Sequence, residues 1–134
     1  KQGLRDVSVA PLTHAKLSGY RNKGQYPVRK DASGKTVIGF FAAKSHRVLD
    51  CAACDLQNAA FAPIIEEIRA FIDENAISVY NEETKKGIIK HIVVREADND
   101  FVLTVVVTDE KFNKFTPLIE KLKMHFSSSN LFIL

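Results

Sequence analysis

The chain has no tryptophan, a single methionine and two cysteines among its 134 residues. Two cysteines are too few for a disulfide framework, and the close Cys-x-x-Cys spacing of Cys51 and Cys54 is too tight for a structural staple. A reducing, cytoplasmic setting is therefore expected. No apolar run approaches the ~18–20 residues that a membrane helix needs, so no membrane partner is expected. No charged-then-apolar leader of the secretory kind opens the chain. Enzyme signatures are scarce as well. There is no glycine-rich loop of the Rossmann or P-loop form, no Gly-x-Ser-x-Gly and no His-Glu-x-x-His.

What is present has the composition of a folded domain. The apolar fraction is 46% and the charged fraction 26%, ordinary values that argue against disorder and low-complexity repeats. The length suits one domain over residues 1–134, large enough to bury a core without staples. The chain opens on Lys1 rather than Met, and Leu131-Phe132-Ile133-Leu134 reads as a strand with no polar tail. Both ends read as cut, and the chain as a piece of a longer polypeptide.

Charge is distributed unevenly. Residues 1–47 hold ten Lys/Arg and two Asp/Glu, a net of +8, whereas residues 48–134 hold nine and fourteen, a net of −5. The basic part includes Arg21, Lys23, Arg29, Lys30, Lys35, Lys44 and Arg47, with Tyr20, Tyr26, Phe40 and Phe41 among them. Cations grip phosphates while rings stack on bases, so this mixture suits RNA. A solvated basic face with its aromatics turned into a core is the competing reading.

Periodicity predicts the elements. Residues 7–10 read as a short strand, and 20–30 as an extended segment whose Pro27 implies an edge strand or a bulge. Asp31-Ala32-Ser33-Gly34 is a turn signal. Residues 35–43, rich in β-formers, complete a hairpin, and 47–49 extend it with a third short strand. The clearest helix spans 58–75, with Pro63 in its first turn, Ile64, Ile68, Phe71 and Ile72 at helical spacing, and Asn75 as its stop. Residues 81–87 are turn-like. Residues 88–96 and 101–108 form a second hairpin around an acidic turn, and the near-continuous β-branched run of 101–108 reads as a buried central strand. A second helix over 116–126 turns Leu118, Ile119, Leu122 and Phe126 inward; 127–130 is a loop and 131–134 a last strand. The order β-β-(β)-α-β-β-α-β indicates an α+β fold, a mainly antiparallel sheet built from hairpins and packed against two helices.

Three readings of Cys51 and Cys54 stand. They are small packed residues at a helix entrance, half of a metal or cluster site, or a redox pair. Zinc needs four ligands, and one Cys-x-x-Cys supplies two; His46 and His91 complete a site only if the fold brings them close. A thioredoxin-like pair expects a βαβ context that the hairpin order does not provide. The adjacent pairs Glu66-Glu67 and Glu82-Glu83 do not face one site on a helix and read as solvated surface. His14, His46, His91 and His125 are scattered and read as structural.

Four blocks carry a resemblance. They are Gly19-Tyr20-Arg21-Asn22-Lys23-Gly24-Gln25-Tyr26-Pro27-Val28; Gly39-Phe40-Phe41 with Lys44-Ser45-His46-Arg47-Val48-Leu49-Asp50; Cys54-Asp55-Leu56-Gln57; and Lys86-Gly87-Ile88-Ile89-Lys90-His91-Ile92-Val93-Val94-Arg95. In this order they resemble the central domain of bacterial 23S rRNA (uracil-5-)-methyltransferases, the RNA 5-methyluridine methyltransferase family. The similarity covers roughly residues 7–134.

The resemblance implies a larger enzyme. An N-terminal RNA-binding barrel and a C-terminal S-adenosylmethionine domain with the catalytic cysteine flank the central domain and lie outside this chain. The family attacks uracil C6 with that thiolate, methylates C5 and then removes the C5 proton. The target base must leave its stack. The chain alone is then expected to be inactive, and its partners are RNA, 23S rRNA first, and the rest of the parent polypeptide. Tyr20, Arg21, Lys23, Lys44, Ser45, His46 and Arg47 become the candidate RNA-binding residues. Many members hold a 4Fe–4S cluster on four cysteines, and Cys54 matches the fourth ligand by position; Cys51 matches none. The family's three upstream cysteines are absent here, so this chain cannot complete a cluster. Gly24 stands where alanine is more usual.

Overall fold

The computed structural model describes residues 7–13, 16–98, 100–109, 112, 114–125 and 131–133. Its elements are β1 (Lys23–Lys30), β2 (Thr36–Phe41), β3 (Val48–Asp50), α1 (Phe61–Glu74), β4 (Ile89–Ala97), β5 (Asp100–Val107), α2 (Thr116–His125) and β6 (Leu131–Ile133). The strands form one sheet in the order β3-β2-β1-β4-β5-β6. Every pair is antiparallel except β5–β6, a parallel pair joined through α2. The expected α+β class and element order are those observed. His14, Phe126, the 127–130 loop and Leu134 lie outside the described residues.

Period-two alternation explains which side of the sheet is covered. Tyr26, Val28, Ile38, Ile92, Val94, Phe101, Leu103 and Val105 turn to one face and are buried. Phe61, Ile64, Ile65, Ile68, Phe71 and Ile72 of α1 complete that core. Their i, i+3, i+4 spacing makes one apolar stripe on the helix. Phe61 meets Phe101 edge-on, with ring centroids 6.4 Å apart. Each such side chain stabilises the fold by about 1.5–3 kcal/mol when fully buried. α2 adds Leu118 and Leu122 to the core and is tied to α1 by a Lys121–Glu67 ion pair of 2.7 Å.

The turns use the residues the sequence supplies. Asp31 Oδ1 accepts hydrogen bonds from the Ser33 and Lys35 backbone N–H groups, at 2.8 and 3.0 Å, closing the first hairpin. Ahead of α1, Asn58 Oδ1 accepts the Ala60 N–H at 2.9 Å. At the far end the Asn75 amide donates to the Phe71 carbonyl at 2.9 Å, which ends the helix where expected.

Three expectations need correction. Residues 7–10 form no strand; Val7 and Val9 are exposed and make no ladder. β1 is interior rather than an edge strand, with Pro27 opposite His91 of β4. Proline is tolerated there because the ladder with β2 begins only at Val28, so the missing N–H breaks no β1–β2 rung. β5 is buried on one face only, and Val106 stays 37% exposed. Its apolar run reflects β-branched propensity on both faces, not cover on both faces.

Two local devices hold the β2–β3 end of the sheet. Arg69 of α1 is buried and donates to the Thr36 carbonyl at 2.9 Å and to both Asp50 oxygens at 3.0 and 2.6 Å. Gly39 lets β3 approach closely: a Cβ there would lie 1.9 Å from the Leu49 carbonyl oxygen and 2.6 Å from the Cys51 nitrogen.

Candidate nucleic-acid interface

Two of the blocks that carry the resemblance lie side by side. The Gly19 and Arg21 N–H groups donate to the Asp55 and Leu56 carbonyls, both at 2.8 Å. Arg21 and Gln57 thereby form a parallel bridge. Beneath it the Tyr26 hydroxyl donates to Gln57 Oε1 at 2.6 Å, a buried bond that satisfies a buried amide. Gly24 has a packing reason, since a Cβ there would lie 2.5 Å from the Tyr26 hydroxyl. Burial pushes the Tyr26 phenol up to about 12, with Cys54 and Cys51 adding and the Gln57 bond opposing.

Cys54 lines a groove of about 530 Å³ together with Ser18, Gly19, Asp55 and Asn58. Cys51 lies nearby with its Sγ 2.8 Å from the Ala53 carbonyl. Burial pushes the Cys51 thiol up, with Cys54 and Asp50 adding to the shift. The strands that flank α1, β3 and β4, are not neighbours in the sheet, so the fold does not supply the βαβ context of a thioredoxin-like redox pair. A four-iron cluster needs four ligands, usually cysteine thiolates. The chain supplies two cysteines, and among the described residues no three His, Cys, Asp or Glu side chains come together to hold a metal. These residues do not fit a complete cluster.

All seven candidate RNA-binding residues are exposed, but they form two groups. Tyr20, Arg21 and Lys23 sit at the start of β1, where Lys23 and Arg95 face each other across the β1–β4 ladder. Lys44, Ser45, His46 and Arg47 occupy the β2–β3 turn. That turn is shaped by an Ala42 N–H to Arg47 carbonyl bond of 2.8 Å and by Lys44 at a φ of 55°. It meets the other end of β1. The Phe41 ring centroid is 5.6 Å from the Arg29 guanidinium carbon, and His46 Nδ1 is 3.3 Å from Glu82 Oε2. Arg29 and His46 thus share the Glu82 carboxylate, because Arg29 also donates to Glu82 Oε1. The first group thus lies at the Lys23 end of β1, and the second touches Arg29 and Glu82 near its other end.

Sequence reasoning left Arg29, Lys30 and Glu82 out of the site. Alternation from Lys23 through Gln25 to Arg29 was a usable signal for the first, since these residues share the face away from the helices. Glu82 is 53 residues from Arg29, and nothing local marks it. His46 and His91 join no metal-holding group among the described residues: His46 lies 3.3 Å from Glu82, and His91, in β4 opposite Pro27, has its pKa pushed down by burial, with Arg29 and Lys90 adding and Glu82 opposing.

No family model matches the chain. Curated relatives do. An uncharacterised RNA methyltransferase of Staphylococcus epidermidis is 35% identical over 109 residues, 80% of this chain and 24% of that protein. The chain belongs to the RNA methyltransferase family. It spans about a quarter of the length of the relatives it matches. Another, of Staphylococcus aureus, is 29% identical over 105 residues, 77% of this chain and 23% of that one. Among solved structures, the tRNA (uracil-54, C5)-methyltransferase of Pyrococcus abyssi in complex with S-adenosyl-L-homocysteine has a TM-score of 0.64. It is 26% identical over 76% of this chain and 25% of that one. Among the described residues no helix is long and apolar enough to cross a membrane.

Proposed function

We propose that this chain is the central, RNA-positioning domain, over residues 1–134, of a cytoplasmic S-adenosylmethionine-dependent RNA (uracil-5-)-methyltransferase acting on 23S rRNA. The observation that carries this reading is the likeness, over 76% of the chain, to a protein whose reaction is methylation of uracil C5. The four ordered blocks quoted above favour 23S rRNA as the substrate. A tRNA substrate is the second reading, favoured by the substrate of that structural neighbour.

In this reading S-adenosylmethionine, held outside this chain, supplies the methyl group. The chain's own residues bind and orient RNA. Arg21, Lys23, Lys44 and Arg47 are exposed cations for phosphate oxygens, and Tyr20, 55% exposed, offers a ring for an unstacked base. Ser45 and His46 sit at a turn tip where they can reach a folded loop of RNA. Cys54, in its groove beside the Arg21–Gln57 bridge, holds the position assigned by resemblance to one cluster thiolate. The other three ligands would come from outside the chain.

The test is the protein from the complete reading frame, incubated with methyl-labelled S-adenosylmethionine and either 23S rRNA or tRNA transcripts, then digested to nucleosides. The expected product is 5-methyluridine in 23S rRNA. Label in tRNA alone replaces the first reading with the second. Label on another base, or none in either RNA, overturns both.

A further inference from the structure

We propose that Arg29, His46 and Phe41 form a nucleotide subsite that Glu82 holds closed, and that an RNA phosphodiester takes the place of the Glu82 carboxylate while the adjoining base stacks on Phe41. The proposal rests on the RNA reading above and names where on the domain one nucleotide sits.

The geometry is that of an anion site already filled from within. One carboxylate bridges two groups on different elements: Oε1 accepts from the Arg29 guanidinium on β1, and Oε2 lies 3.3 Å from His46 Nδ1 in the β2–β3 turn. A phosphodiester presents the same pair of oxygens to the Arg29 guanidinium and the His46 ring. Arg29 is held in place independently of Glu82. It donates to the Val28 carbonyl at 2.8 Å and lies against Phe41. Its side chain is 15% exposed, so its orientation is set before any RNA arrives.

Glu82, in contrast, is free to leave. Its side chain is 42% exposed. The loop around it is closed by other groups: the Asn81 N–H donates to the Lys86 carbonyl at 2.8 Å, and Asn81 Oδ1 accepts the Glu83 and Thr84 N–H groups at 2.8 and 2.9 Å. The loop is closed without the ion pair, and of its two partners only Glu82 faces solvent.

The site opens on both sides. A groove of about 430 Å³ runs past Val37, Arg47 and Val48, and one of about 670 Å³ past Tyr80, Asn81 and Lys85. Arg29, Lys30 and His46 line both and form the ridge between them. Phe41 is 43% exposed, with the His46 ring edge-on at 6.2 Å. An exposed ring beside a fixed guanidinium is what a stacked base and its phosphate require.

The carboxylate also filters its competitor. It is tethered, so a single phosphate ion must outcompete a high effective concentration. A polyanion gripped elsewhere by Arg21 and Lys23 is tethered too, and its binding releases condensed counterions that the intramolecular pair does not. Glu82 therefore rejects lone anions and yields to RNA.

The experiment is anisotropy of a labelled oligouridylate of about twelve nucleotides, titrated with the full chain at several salt concentrations. Glu82→Gln is expected to tighten binding about fivefold with the salt slope little changed, because the wild type already seats that phosphate once Glu82 is displaced. Arg29→Gln is expected to weaken binding and to make Glu82→Gln silent in the double variant. Phe41→Ala is expected to weaken oligouridylate but leave heparin unchanged. Both Glu82 and Phe41 are exposed, so they carry the test if Arg29→Gln fails to fold. Oligouridylate binding that weakens with Arg21→Ala plus Lys23→Ala, yet ignores Glu82→Gln and Phe41→Ala, overturns the subsite and leaves the RNA reading standing. No oligouridylate binding by any form overturns both. Equal losses of RNA and heparin with Phe41→Ala overturn the stacking half.

Discussion

Tyr26 joins the core to the groove that holds Cys54, and Tyr26→Phe tests that junction with two separable numbers. The substitution keeps the ring and deletes one oxygen. At neutral pH it removes the 2.6 Å bond to Gln57 and leaves the buried Oε1 without that donor. The expected loss is about 1–3 kcal/mol. The second number comes from alkaline pH. The phenol is pushed from 10.0 up to about 12, first by burial and then by the neighbouring thiols, so the folded state favours the neutral form. Stability from this group is full below pH 10.0 and is lost as pH rises through about 12. The loss is about 1.4 kcal/mol by pH 11 and approaches about 2.7 kcal/mol beyond pH 12. Urea unfolding of the wild type and Tyr26→Phe between about pH 7 and 11 gives both numbers, and the difference between them cancels the lysines and the other tyrosines. The wild type should lead at neutral pH, and its lead should shrink by about 1.4 kcal/mol at pH 11. A lead that stays constant with pH refutes the desolvated phenol. A neutral-pH lead under about 0.5 kcal/mol refutes the bond's contribution.

Other outcomes follow from the same contacts. Arg69→Met should lower stability by about 2–3 kcal/mol, because it unpairs Asp50 and the Thr36 carbonyl; the figure is held down by Asp50's own exposure. Urea unfolding reads it, and a change within about 0.5 kcal/mol shows that the clip between α1 and β3 is idle. Arg21→Ala plus Lys23→Ala should flatten the salt dependence of RNA binding by about 1.4, two single-strand phosphates' worth, with folding unchanged. An unchanged slope removes those two residues from the interface.

How much of this was legible in the chain depends on the range of the interaction involved. The helix over Phe61–Glu74 followed from Pro63, four apolar positions and Asn75, all within one short window. The hairpin turn at Asp31 followed from side chains that bond their own backbone neighbours. Pro27 was misread because a local rule about edges cannot see that the β1–β2 ladder starts one residue later. The run in β5 was misread because β-branched residues favour strands whether or not a second layer covers them.

The candidate interface divides the same way. Residue type and order determined that basic and aromatic side chains would cluster in the first third, that the sheet would be antiparallel and helix-backed, and that the four motif blocks pointed to RNA methyltransferases. Tertiary structure alone decided the rest. It set Gln57 under Tyr26, split the seven candidate residues into two groups at opposite ends of β1, and carried Glu82 across 53 residues to Arg29 and His46. Local propensity acts over a few residues and is written into composition and period. Contacts between distant segments depend on strand register and loop path, which only the packed chain fixes.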